Sequence, residues 1–563
     1  MTIVLVLVAG CTPDIHLGSM FRHLSVLQRA PATPTIYGTA TPGTRLLVSV
    51  GDIKVNVVAD GSGVWNATLP AQEAAWDVPL NVSSIGHSSS CSATTTVHFG
   101  ETLVCSGQSN MGMPVTPTSK CCYQSPTPTN CHCFAAQNGT AEVNAAGRYE
   151  GKIFLASVGA AQKDHNGTYC PYPWTNHSCR SQPEWNNVVR GMVGTVAKFS
   201  AICWYTGVDM YESLGVPIGL ITGAVGGSPI EFWLPPGHVN DTSACGRDDP
   251  PCDHGGANGY HDSDFWEQLI SPFAPYTVGT VIWDQGERDA HCLPQSNGST
   301  VPENHVSRYG CLLRSLVNSW RTAFASTFSF YAVQLPGYLG DCGDFQQCAN
   351  SVFPMRLQQQ QGVEGLEDAD ITPTYDLSCP PGTDFTTRTA TCPFGSVHNV
   401  FKRQIGTRLS SQIVHNIAAK HKKLKLKRAK VKATSNQLWP SLVSIHVESS
   451  GGGGSGGVMV TATYDASLSQ ASTMNCVACC TKGSVGDFDV SFDHGQTWVN
   501  GTHPSIDGKT LTFHVKDVPT ATHVRYTGNQ PYPQCAIYRD NSGSLPALPF
   551  RVALDGAGSW VNE

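Results

Sequence analysis

The chain has 563 residues, 35 Lys and Arg against 42 Asp and Glu, and a formal net charge of −7, which argues against a nucleic-acid binder. It is too long for one core, and the usual length prior suggests about three or four domains. No run of about twenty uninterrupted apolar residues occurs, so an integral membrane protein is not expected.

Residues 1–19 read as a signal-like segment: Thr2 to Gly10 is a short apolar run, although no basic n-region precedes it. Residues 20–99 alternate apolar and polar positions, as in 45–50 and 54–59, with Gly and Pro between the runs, which predicts a small N-terminal β-sandwich-like domain. Within 100–424 strand-like runs are separated by helix-like segments, including 187–214, 309–324 and 401–415. That order predicts a parallel sheet with crossover helices, an α/β fold. Alternation returns over 442–447, 458–462 and 488–492, so 425–563 is expected to be a C-terminal β-rich domain. The Gly-rich tract 451–457 has strands on both sides and reads as a loop within that domain. The basic run Lys420 to Lys432 has two readings, a polyanion-binding patch or, more simply, an exposed helix end leading into the next strand.

The chemistry-bearing segments each follow a strand-like run. Val104-Cys-Ser-Gly-Gln-Ser-Asn-Met111 places Ser109 in a tight turn that lifts its hydroxyl out of the backbone. An acyl-transfer serine needs a base for its proton and donors for the developing oxyanion. Gly223 to Glu231 contains paired glycines whose N–H groups a substrate oxygen can approach, Gln285 offers a side-chain amide, and His398 offers the base. Glu287 has two readings, a buried carboxylate fixing the Gln285 loop or a second acid. Trp283 reads as core or pocket wall. Trp233 could line a sugar site, although packing is the commoner role of an aromatic ring. His254, His261 and His291 lack metal-ligand spacing, so no metal and no cofactor are expected.

Gly107-Gln-Ser-Asn-Met111, Gly226-Gly-Ser-Pro-Ile-Glu231, Trp283-x-Gln-Gly-Glu287 and Phe394-Gly-Ser-Val-His398 together resemble the ordered blocks of the sialate O-acetylesterases, a branch of the SGNH hydrolase superfamily. Val26 to Pro31 resembles the opening strand of those proteins, and Cys535 to Tyr538 with Leu545 to Phe550 resembles their ending. The resemblance implies an SGNH-hydrolase-like sheet flanked by the two β-rich domains. It implies Ser109 as nucleophile, His398 as general base and then acid, and an oxyanion hole from the Ser109 N–H, the Gly227 N–H and the Gln285 side chain. Position 395 is Gly, which excludes an acid three residues before the histidine. Thr374-Tyr-Asp-Leu377 matches the start of the family's acid-bearing stretch, so Asp376 is the favoured third member, in competition with Asp384 in the insertion 379–392 and with a backbone carbonyl.

The implied activity is removal of O-acetyl groups from sialic acids through an acetyl-enzyme. An acetylxylan or other carbohydrate acetylesterase is the rival within enzymes. A non-catalytic carbohydrate-binding glycoprotein on an esterase scaffold is the rival outside them. Twenty-two cysteines point to an oxidising compartment, with Cys379 and Cys392 expected to close the insertion. Sequons at Asn66, Asn81, Asn138, Asn166, Asn176, Asn240, Asn297 and Asn500 agree with a secreted, lysosomal or endomembrane-lumenal protein.

Overall fold

The computed structural model describes residues 14–21, 23–86, 92–116, 139–158, 184–187, 193–238, 245, 262–290, 304–338, 345–379, 395–420, 438–450, 456–472, 484–518, 520–528, 535–539 and 545–561. The signal-like segment up to residue 13, the basic run beyond Lys420, Asp384, Cys392 and the three loop histidines lie outside them. The sequons at 138, 166, 176, 240 and 297 do so as well, whereas Asn66, Asn81 and Asn500 sit on strands.

Six parallel strands form the centre of the molecule: β1 (Ser92–Gly107), β2 (Ile153–Ser157), β3 (Ile218–Ala224), β4 (Thr280–Asp284), β5 (Ser329–Val333) and β6 (Ala369–Thr372). Their order across the sheet is β2-β3-β1-β4-β5-β6. From β1 the chain passes to the outer strand β2, comes back to β3 beside β1, and then builds outward on the other side through β4, β5 and β6. Helices α1 (Ser109–Gly112), α2 (Ala201–Leu214), α3 (Asn304–Ala323), α4 (Phe345–Val363) and α5 (Lys402–Lys420) follow or connect these strands. Every residue of β4 and β5 is buried, as expected of strands in a parallel sheet covered on both faces. Ser200 caps α2 by accepting from the Cys203 N–H, and Gly215 ends it in the left-handed region at φ 63°.

In register, Gly107 at the end of β1 stands opposite both Ala224 of β3 and Asp284 of β4. Three strand ends thus meet where the winding direction reverses, the place where open α/β sheets leave a crevice. Gly107 has φ 137°, and a Cβ there would lie 2.1 Å from the Asp284 carbonyl oxygen. Gly107→Ala is expected to destabilise the fold by about 2–5 kcal/mol, measurable by denaturant titration, because strain and overpacking act at the same atom.

β1 also carries the N-terminal strands. Ala75–Ser84 pairs antiparallel with it, Arg45–Val50 and Ile53–Val58 extend that edge, and Ser25–Gln28 runs parallel to it. The expected division at residue 99 falls inside this one continuous strand. Buried Glu101 joins the parts, accepting from Arg29 Nε at 2.7 Å and Gln28 Nε2 at 2.9 Å. Further along the chain, eight strands between Leu442 and Val561 make an antiparallel sheet. Ser450 and Gly457 pair across the Gly-rich tract, which therefore joins two strands of that one sheet. Tyr375 packs into the core of this sheet and donates to the Ala547 carbonyl at 2.7 Å. Among the described residues no helix is long and apolar enough to cross a membrane.

Candidate active site

Ser109 is the first residue of α1, and its N–H therefore has no acceptor within its own helix. His398 lies on the loop that leads into α5, and its Nε2 is 2.8 Å from Ser109 Oγ although 289 positions separate them in the chain. Both residues are half-buried while their immediate neighbours Gln108, Asn110, Val397 and Asn399 are buried, so solvent reaches this pair selectively. Gly226 and Gly227 are exposed beside it, and a Cβ on Gly226 would stand 3.4 Å from Ser109 Cβ. Gly227 is in the left-handed region at φ 71°, with open space where a Cβ would be. Strand ends, one hydroxyl, one imidazole and the Gly226-Gly227 turn thus meet at one accessible spot.

Gln285 is placed differently from its expected role. Its side chain is fully buried, and both amide hydrogens are committed, one to the Ser228 carbonyl at 2.9 Å and one to Asp289 Oδ2. Its Oε1 accepts from Tyr309 at 2.8 Å. No N–H remains for a substrate oxyanion, because an amide nitrogen has two hydrogens. Gln285 instead braces the turn that carries Gly227. The Ser228 hydroxyl tightens the same turn by donating to Val225 O at 2.8 Å while accepting from Trp233 Nε1 at 3.0 Å. Gln285→Ala is expected to leave Ser228 O and the buried Asp289 short of partners, costing about 1–3 kcal/mol in a denaturation experiment.

Trp233 is buried, with its ring 5.1 Å from Phe265 and 5.6 Å from Trp283, so it packs and does not line a sugar site. Trp283 is core as well.

Asp376, expected to orient His398, is held by other residues. Arg408 of α5 grips its carboxylate with both ends of the guanidinium, Nη1 to Oδ1 at 2.7 Å and Nη2 to Oδ2 at 2.5 Å, and Tyr538 donates to Oδ2 at 2.9 Å. All three residues are buried. The planar fork of an arginine matches a carboxylate and outcompetes a single imidazole N–H for it. Asp376 therefore ties α5 to the C-terminal strands. Cys379, a few residues on, is disulfide-bonded and lies against the Gly395 and Ser396 carbonyls.

Beneath the pair lies a polar group that sequence reasoning did not assign. Asn110 Nδ2 donates to Glu287 Oε1 and, at 3.0 Å, to the Val397 carbonyl, while Asn110 Oδ1 accepts from Lys402 Nζ at 2.7 Å. Glu287 is buried, and its hydrogen bond ties the loop that carries Gln285 to Asn110. Burial raises the Asp284 and Glu287 carboxyls above their usual range and lowers the Lys402 ammonium, while the opposite charges pull each back. Asn110 stood in the sequence beside Ser109, but nothing in the pattern of α5 marked Lys402 as buried. Among the described residues no cluster of three or more His, Cys, Asp or Glu side chains could hold a metal ion.

No family model matches the chain. It is 25% identical to the sialate O-acetylesterase of Homo sapiens over 95% of this chain and 91% of that one. The Rattus norvegicus protein of the same name is 24% identical over 98% of this chain and 96% of its own. The solved structure of a carbohydrate acetylesterase from Xanthomonas citri superposes with a TM-score of 0.65 at 21% identity, covering 96% of this chain and 99% of that one, so the two share a fold. Along nearly its whole length, the chain is a homologue of the sialate O-acetylesterases.

Proposed function

We propose that the protein is a serine esterase that removes O-acetyl groups from sialic acids. The observation that carries this reading is the 2.8 Å approach of His398 Nε2 to Ser109 Oγ at the accessible meeting point of β1, β3 and β4. In the proposed cycle His398 takes the Ser109 proton as Oγ attacks the acetyl carbonyl. The Ser109 and Gly227 N–H groups receive the oxyanion. His398 then gives the proton to the departing sugar oxygen, leaving an acetyl group on Oγ. A water, deprotonated in turn by His398, releases acetate and restores the serine. The strand order and the placing of the groups at strand ends support an SGNH-type core between two β-rich parts. The disulfides Cys105–Cys203 and Cys245–Cys311 support secretion or residence in an oxidising lumen.

The named relatives favour sialic acids over other acetylated sugars, and the Xanthomonas citri protein's name keeps a broader carbohydrate acetylesterase as the second reading. Acetate release measured side by side on O-acetylated sialic acids, acetylated xylan and an aryl acetate decides between them. Preference for xylan would replace the first reading with the second. No release from any of the three would leave a binding protein on an esterase scaffold.

A further inference from the structure

The Ser109 hydroxyl and the His398 ring sit on separate segments, and only a hydrogen bond between the two side chains joins them directly. A second link between the two segments is the amide of Asn110. It follows Ser109 in α1, and its Nδ2 reaches the carbonyl of Val397, the residue before His398, at 3.0 Å. An amide can serve as such a clamp only if it does not rotate by half a turn, since rotation would set Oδ1 against the Val397 carbonyl. Two buried groups oppose that rotation. Glu287 Oε1 accepts from Nδ2, and Lys402 Nζ donates to Oδ1 at 2.7 Å. A lysine ammonium only donates and a carboxylate in this contact only accepts, so a flipped amide would lose both partners.

Lys402 is fully buried, and Asn110 Oδ1 is its one hydrogen-bond acceptor among the described side chains. Burying a lysine is costly unless it is paired, and the buried Asp284 and Glu287 carboxyls supply the opposite charge here. We propose that Lys402 is a positioning residue for the reaction: by locking the Asn110 amide it fixes the separation of the Ser109 and His398 backbones. This rests on the esterase reading above. Glu287 shares the task from the other side, and its Oε2 accepts no hydrogen bond from a described residue.

The test compares wild type, Lys402→Met and the double variant Lys402→Met/Glu287→Gln. The double variant removes one charge of each sign, and the amide oxygen that replaces the carboxylate can still accept from Asn110. Three quantities are measured: kcat and KM for an aryl acetate, the rate at which a fluorophosphonate labels Ser109, and the melting temperature. Displacement of a reacting group by about 1 Å costs on the order of a hundredfold in rate. Accordingly, kcat and the labelling rate should both fall about a hundredfold in Lys402→Met, with KM shifted by less than about threefold. The double variant should regain melting temperature without regaining either rate.

Rates that track melting temperature, recovering in the double variant, would make Lys402 merely structural and overturn the proposal. So would wild-type labelling in either folded variant, or failure of the charge-balanced double variant to fold. A wild-type protein that neither releases acetate nor reacts with the fluorophosphonate would instead overturn the esterase reading itself.

Discussion

Ser109→Ala is expected to remove acetate release almost completely, by on the order of a million-fold in kcat, while leaving the melting temperature unchanged. The hydroxyl is half-exposed, and its side-chain hydrogen bond is to His398 Nε2. Its loss therefore opens no cavity in the core and strands no buried partner. Everything that shapes the turn lies in other residues: Gly107 at φ 137°, the Gly112 N–H bonded to Gln108 O at 2.9 Å, and the Asn110 amide below. Residual activity should be no more than binding and the two backbone donors can sustain without a nucleophile. Turnover within tenfold of wild type, measured on the substrate that the native protein prefers, would remove Ser109 from the mechanism.

The parts of this site that the sequence made legible are those in which a residue's type and its local context suffice. A serine between a strand and a Gly-flanked turn, paired glycines after a second strand, and a histidine ahead of a helix each announce themselves within a few positions. The alternation of the flanking β-rich parts and the continuous apolar strands at the centre are local signals too. What the sequence did not disclose are partnerships across the fold. Gln285 is a donor by type, but whether its two N–H groups are free depends on Ser228 and Asp289. Asp376 ends a family-like segment, but its partner Arg408 lies 32 positions away and Tyr538 lies 162 away. Lys402 looks like any other lysine near the start of a helix, and only the tertiary packing of α5, which lies against α2, takes it out of water. The continuity of β1 through residue 99 is hidden for a related reason: composition changes there, while the backbone hydrogen bonds do not.

Asp376→Leu is expected to destabilise the protein by about 3–5 kcal/mol while leaving kcat of the folded molecules within a few-fold of wild type. The carboxylate and the Arg408 guanidinium are both buried, so deleting one leaves the other charged, desolvated and without its fork partner. Tyr538 loses its acceptor in the same change, and with it a link from α5 to the C-terminal strands. A denaturant titration alongside active-site-normalised kinetics separates this from a catalytic role. Wild-type stability combined with a kcat lowered by about ten-thousand-fold would reinstate Asp376 as the group that orients the imidazole. The pairing itself can be checked further with Asp376→Leu/Arg408→Met, in which neither charge remains. Replacing a buried ion pair by apolar side chains of similar volume is often neutral or better, so the double variant should recover most of the stability lost in the single one. If it does not, the loss lies in the Tyr538 contact and in packing, and the charge pair contributes little to holding α5 in place.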